Sequence, residues 1–202
     1  MNSQVLALNR PSPQELFKAL SLDQNFFPVC IDLDFTLLRT SSLYFFFPQA
    51  FLSIFELLKT RSWAAFKWKI SQKYCLDPKR IPYRPFLIDF LQLCKEKNIP
   101  LVLATGAAYP TACSINTHLK FFDLIISSTQ NVHCVGSVKA KALTDRYGKE
   151  KFYYFGDSQK DIFVWNQAHS VVALNPSAYF SHVIQKQCVG KRCIFLYDRN
   201  EF

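Results

Sequence analysis

Two aspartates, Asp32 and Asp34, follow the apolar run Pro28-Val-Cys-Ile and sit in Asp32-Leu33-Asp34-Phe35-Thr36. A second acidic pair lies in Gly156-Asp157-Ser158-Gln159-Lys160-Asp161, again after an apolar run. Between them come Thr105-Gly106, at the end of Pro100-Leu-Val-Leu-Ala, and Lys139. These two motifs hold four of the 15 acidic residues. Bringing four carboxylates together is repulsive unless a cation sits among them. Oxygen-only ligands suit a hard cation such as Mg²⁺. A carboxylate can also attack phosphorus and form an aspartyl-phosphate. Asp34, two residues on, occupies a different place on the turn and could handle protons. Thr105 and Lys139 are donors suited to phosphoryl oxygens. Gly156 allows close backbone approach, and Asp157 and Asp161, four apart, would share one side of a helical turn.

The elements that must position these residues can be read from periodicity and breakers. Residues 1–12 read as an irregular lead-in. A short helix is expected over Pro13–Leu20, with Ser12 as its cap and Glu15 complementing its dipole. Short apolar runs predict strands at 28–32, 100–105, 124–127, 152–155 and 171–174, with an edge strand at 193–197. Helical patterns fall at 86–97, 109–119, 138–147, 161–168 and 178–187. Strands alternating with helices imply a three-layer α/β sandwich around a mainly parallel sheet. In such sheets ligands bind past the carboxyl ends of the strands, where all three polar motifs lie.

The stretch 41–82 is too long for an ordinary crossover and reads as a small helical cap inserted after the 28–32 strand. The core is then 1–40 with 83–202, and the cap 41–82. Ser41 or Ser42 can cap the first cap helix. Trp63, Phe66, Ile70 and Tyr74 form an amphipathic stripe on the second. The aromatics Tyr44, Phe45, Phe46, Phe47, Phe51, Phe55, Trp63 and Trp68 make the cap's own core or line an apolar pocket.

The chain has 202 residues, half of them hydrophobic, enough for a sizeable core. Its net charge of +9 fits an anionic partner of any kind, and eight basic residues lie between Lys59 and Arg84 against one acid, Asp77. The blander reading of that stretch is a solvated cap face. The seven cysteines, Cys30, Cys75, Cys94, Cys113, Cys134, Cys188 and Cys193, have no metal-type spacing and read as reduced core fillers of a cytosolic protein. His118, His133, His169 and His182 have no metal spacing and read as structural or surface residues. Met1 to Pro13 lacks the apolar run of a signal peptide. The longest apolar stretch, 43–58, is broken by Pro48, Gln49, Ser53 and Glu56 and is too short to span a bilayer. No nucleic-acid module is recognisable.

In order and placement, Asp-x-Asp-x-Thr at 32–36, the strand ending in Thr105, Lys139 and Gly-Asp-Ser-x-x-Asp at 156–161 resemble the haloacid dehalogenase superfamily. The resemblance covers 28–176. It is closer to the phosphatase-like domains associated with UbiA-type prenyltransferases, through 101–107, 121–127, 136–139, 154–158 and Val164-Trp165. The resemblance implies that Asp32 attacks phosphorus and that Asp34 protonates the leaving group and then activates water. It implies that Asp32, the Asp34 carbonyl and Asp157 hold Mg²⁺, with Asp161 orienting the metal shell or Lys139. It also implies that Thr105, Gly106 and Lys139 bind the phosphoryl group. Lys141 is a rival to Lys139, which keeps the family spacing after Gly136. Phe35 departs from the family, where Gly often precedes the motif Thr, and so puts turnover in question.

The expected activity is hydrolysis of a phosphomonoester, with a phosphorylated small molecule or lipid as substrate. The rival readings are a non-catalytic protein of the same fold that binds an anionic lipid or protein partner, and a phosphotransferase. The expected location is cytoplasmic. The basic aromatic cap adds the alternative of peripheral contact with the inner face of a membrane.

Overall fold

Seven strands form one sheet in the computed structural model, which describes residues 5–46, 62–74 and 76–198. They are β1 (Val5–Asn9), β2 (Val29–Ile31), β3 (Leu101–Ala108), β4 (Leu124–Ser128), β5 (Tyr153–Gly156), β6 (Ser170–Leu174) and β7 (Arg192–Tyr197). Their order is β1-β7-β6-β5-β2-β3-β4 and every pairing is parallel. From β2 the chain builds outward through β3 and β4, then returns to the other side of β2 for β5, β6 and β7. That reversal opens a crevice at the carboxyl ends of β2, β3 and β5.

The helices are α1 (Pro13–Ala19), α2 (Trp63–Lys73), α3 (Pro85–Glu96), α4 (Tyr109–Leu119), α5 (Ser137–Tyr147), α6 (Ile162–Trp165) and α7 (Ala178–Gln187). Strand residues alternate between two buried layers. Val29, Ile31, Tyr153 and Phe155 pack with Leu16 of α1 and Leu87 and Phe90 of α3. Cys30, Tyr154, Val171 and Ala173 pack with Leu143 of α5, Trp165 of α6 and Ile184 of α7. Strands buried on both faces must be apolar throughout, which is why they read as short uninterrupted runs. This is the expected three-layer α/β sandwich.

Several boundaries differ from the expectation. Residues 5–9, read as an irregular lead-in, are a strand, and 28–32 is therefore the second strand rather than the first. β1 pairs in register with β7, Val5 against Cys193. β7 consequently lies inside the sheet and β1 takes the edge, which leaves the expected edge strand at 193–197 flanked on both sides. The expected helix at 161–168 is a 3₁₀ turn at Gln159–Asp161 followed by the single turn of α6.

The inserted segment leaves and rejoins the core side by side. Leu38 forms an antiparallel bridge with Tyr83, and the Arg39 N–H donates to the Pro82 carbonyl at 2.9 Å. Ser41 Oγ accepts from the Leu43 N–H at 3.3 Å at the head of a 3₁₀ turn, Ser42–Phe46, and the expected first cap helix beyond it lies outside the described residues. Ser62 caps α2, whose Phe66 and Ile70 are buried while Trp63 is exposed. The expected cap residues Phe47, Phe51, Phe55, Lys59 and Arg61, and Cys75, lie outside the described residues. Cys30, Cys94, Cys134, Cys188 and Cys193 are buried, as core fillers should be. No helix among the described residues is long and apolar enough to cross a membrane.

At α1, Ser12 and Glu15 form a complete capping box, with the Glu15 N–H donating to Ser12 Oγ and the Ser12 N–H to Glu15 Oε2. Ser12→Ala is therefore expected to cost about 1 kcal/mol of stability, read by urea denaturation.

Candidate active site

Strand register brings the polar motifs together. Ile31 is level with Leu103 of β3 and with Phe155 of β5. The next residues, Asp32, Ala104-Thr105 and Gly156-Asp157, therefore emerge along one rim. The Asp32 N–H donates to the Phe155 carbonyl at 2.9 Å, which fixes the carboxylate at the crevice. A cavity of about 470 Å³ opens there, lined by Asp32, Asp34, Gly106, Lys139, Asp157 and Asp161 among others.

Lys139 is buried at the floor. Its ammonium donates to Asp32 Oδ1 at 2.8 Å and to the Tyr154 hydroxyl at 2.7 Å, and lies 3.7 Å from Asp161 Oδ1. Burial pushes the ammonium's pKa down, and the charges of Asp32 and Asp161 more than reverse that, so it is raised. Lys141 is exposed and pairs with Asp145 instead. Asp161 folds back to cap its own turn. Its Oδ2 accepts from the N–H groups of Asp157 and Ser158 and from Ser158 Oγ, while its Oδ1 accepts from the Tyr154 hydroxyl at 2.6 Å. A Cβ on Gly156 would lie 2.7 Å from Asp161 Cγ, so only glycine admits this arrangement.

The carboxylates of Asp32, Asp157 and Asp161 each place an oxygen within 4.8 Å of the others. Burial, more than offsetting Lys139 and aided by the charges of Asp161 and Asp34, pushes Asp32 up to about 7. Burial and the charges of Asp32 and Asp161 push Asp157 up to about 8, against the smaller effect of the Thr36 hydroxyl, which donates to it at 3.2 Å. Carboxylates this costly to ionise, presenting only oxygen, fit a hard divalent cation. Asp161 is already saturated by protein donors. Asp32 and Asp157 are thus the pair that would hold the ion, with Asp161 bracing the loop behind them.

Asp34 lines the cavity, and its Oδ1 accepts from the Ser42 N–H at 2.6 Å. Phe35, beside it, adopts φ 57°, ψ −3°. That left-handed geometry costs a non-glycine residue about 1–2 kcal/mol. The ring stands at the cavity mouth, 42% exposed and edge-on to Tyr44. Thr105 is not among the residues lining the cavity. It is fully buried and its Oγ1 accepts from the Ala107 N–H at 3.0 Å, so that Gly106 instead faces the crevice.

Three residues join the site without having been expected there. Lys67 of α2 reaches down from the cap to the Gly106 carbonyl and to His133 Nε2, the latter at 3.2 Å. Burial lowers the Lys67 pKa against the pull of Asp34 and Asp32. Burial and the Lys67 charge lower His133 to about 4, so the ring is neutral and accepts from Lys67. Lys67 is therefore a cavity residue and not part of a solvated cap face. His133, read as structural or surface, is half-buried and lines the same cavity. Tyr154, the third, carried no signal of its own, since Tyr153 beside it in the strand is equally polar-tipped and instead donates to the Leu20 carbonyl at 2.7 Å.

No family model matches the chain. A search of solved structures finds the architecture repeatedly at low sequence identity. A Bordetella pertussis protein of unknown function matches with a TM-score of 0.63 and 14% identity over 95% of this chain and 98% of its own. A haloacid dehalogenase family hydrolase of Salmonella enterica serovar Typhi matches with a TM-score of 0.61 and 13% identity over 85% and 74%. A phosphoserine phosphatase, solved as a phospho-aspartyl intermediate analogue, matches with a TM-score of 0.57 and 13% identity over 88% and 96%. The architecture is haloacid dehalogenase-like. Among curated sequences, the uncharacterized protein y4nM of Sinorhizobium fredii is 28% identical over 185 residues, covering 88% of this chain. The chain spans only 36% of that relative's length.

The pKa shifts carry a stability signature. Asp157 rises from an ordinary 3.8 to about 8, so between those values the folded chain keeps a proton the unfolded chain has lost. Without divalent cations, the melting temperature is expected to fall as pH rises from 5 to 8. Mg²⁺ should reverse the fall, more strongly at pH 8. Asp157→Asn should flatten both responses in thermal-shift titrations.

Proposed function

We propose that this chain is a divalent-cation-dependent phosphomonoester hydrolase that forms an aspartyl-phosphate on Asp32, with a core of 1–40 and 83–202 and a cap of 41–82. The observation that carries the reading is the convergence of Asp32, Lys139, Asp157 and Asp161 from separate segments on one cavity. Lys139 holds Asp32 Oδ1 and leaves Oδ2 to attack phosphorus. Asp34, tethered by Ser42 through one oxygen, keeps the other to protonate the leaving oxygen and then to take a proton from water. A bound Mg²⁺, held by Asp32, Asp157 and the Asp34 carbonyl, would supply neutralising charge where phosphoryl oxygens gather. Lys139 and the Gly106 segment bind the phosphoryl group, with Thr105 shaping that segment from beneath.

Lys67 is the cation of the opposite wall, and it faces the leaving-group side. Trp63 and Phe35 stand with it at the mouth. These aromatics, with the resemblance to UbiA-associated domains, support a substrate whose leaving group has an apolar part, such as a prenyl or lipid phosphate. A second reading, binding of a phosphate ester without turnover, is favoured by the left-handed Phe35 next to the proton-transfer residue.

Purified protein with Mg²⁺ is expected to hydrolyse p-nitrophenyl phosphate, and Asp32→Asn to abolish this. Activity retained in the mutant would sink the nucleophile assignment, and an inactive wild type across a broad ester panel would favour binding. Lys67→Met is expected to raise KM by about tenfold with a smaller change in kcat, as loss of a charged contact made equally in both states would. Clear preference for small sugar phosphates in the panel would count against the apolar substrate.

A further inference from the structure

Arg84 stands where the inserted segment rejoins the core, just ahead of α3, and it is only 6% exposed. Its guanidinium is bonded on every edge. Nε donates to the Thr36 carbonyl at 2.8 Å and Nη2 to the Phe35 carbonyl at 2.9 Å, while Nη1 pairs with Asp198. The Arg84 N–H donates to the Leu37 carbonyl at 3.0 Å. One residue therefore holds three successive carbonyls of the turn that follows Asp32.

Asp198 is anchored in its own right. Asn175 Nδ2 donates to its Oδ1 at 2.7 Å, and the Asp198 N–H donates back to Asn175 Oδ1 at 3.0 Å. Arg39 lies 3.8 Å away, and Arg10 donates to the Asp198 carbonyl at 3.2 Å. Residues 10, 175 and 198 follow β1, β6 and β7. The network thus ties the turn to three strand ends on the far half of the sheet.

Neither Arg84 nor Asp198 lines the cavity. They can influence chemistry only through the backbone they hold. That backbone carries Asp34 on one side of Phe35 and Thr36, with its bond to Asp157, on the other. Phe35 sits between them in a conformation that glycine takes freely and phenylalanine does not. Fixing the carbonyls of 35 and 36 is what keeps phenylalanine there.

We infer that Arg84, braced by Asp198, is the positioning residue of the 32–36 turn, setting Asp34 and Thr36 in place where a glycine at 35 would otherwise let the turn form unaided. The inference rests on the proposed role of Asp34 in proton transfer. It makes Arg84 and Phe35 energetically linked, which simple burial of an ion pair does not require.

The test uses Arg84→Lys and Asp198→Asn, each alone and combined with Phe35→Gly, on full-length protein. Lysine keeps a charge beside Asp198 but cannot fork to two carbonyls. With p-nitrophenyl phosphate and Mg²⁺, either single variant is expected to lower kcat by about 10–100-fold, with KM within about twofold, as misplacement of a reacting group does. Adding Phe35→Gly should recover at least about tenfold of that loss, since glycine needs no clamp at positive φ. Amide exchange at 35–38 should speed by about tenfold or more in the single variants while β3 and β5 stay protected. The exchange measurement needs no turnover, so it tests the clamp even if the wild type hydrolyses nothing. Unchanged exchange at 35–38 in both variants would overturn the inference. So would a kcat loss that Phe35→Gly fails to relieve in protein still folded by circular dichroism. If Arg84→Lys does not fold, the near-isosteric Asp198→Asn carries the same comparisons.

Discussion

Repulsion among the carboxylates of Asp32, Asp157 and Asp161, packed where water is scarce, dictates the surroundings of the site. A buried lysine, Lys139, offsets part of it, and a tyrosine hydroxyl bridges Lys139 to Asp161. Five protein hydrogen-bond and charge contacts at Asp161 remove it from competition for a cation and leave Asp32 and Asp157 under-neutralised. An arrangement serving only stability would have filled this space with apolar side chains at lower cost. On the proposed function, that residual imbalance is what a bound divalent ion would offset.

The sheet enforces this crowding. β2 is only three residues long and lies between β3 and β5, so the residues that follow it have nowhere else to go. The cap then sets the other wall. α2 delivers Lys67 and Trp63 over the crevice, and the paired exits at Leu38 and Tyr83 fix where that cap begins. The floor is a matter of strand register and the roof a matter of the inserted helix, and the two meet at Gly106, where Lys67 touches the core.

The central strands and the residues at their ends were legible because a strand buried on both faces must be apolar, and the first polar residue after it stands out. Asp32 and Asp157 carried that kind of signal, with Asp34 and Asp161 beside them in the same motifs, whereas Lys139 lies in a helix and stood out only through its spacing after Gly136. β1 did not. Its residues alternate between exposed and half-buried, and its partner β7 lies nearly 190 positions away. Lys67 read as part of a solvated face and His133 as a structural or surface residue because each meets the cavity through a distant segment rather than through its neighbours. Arg84 looked like one more base of a charged stretch for the same reason. At the end of β3, Thr105 Oγ1 accepts from the Ala107 N–H, and Gly106 is the residue of that motif that lines the cavity.

All seven strands run the same way, so the end of β7 reaches the same rim as the end of β2. The acidic cluster is complete by residue 161, while the carboxylate that pairs with Arg84 arrives at residue 198. During synthesis the crevice therefore acquires its acids well before the part that stiffens the turn between them. The brace therefore lies just past the last strand of the sheet, and a chain cut short ahead of it would keep the acidic cluster without it.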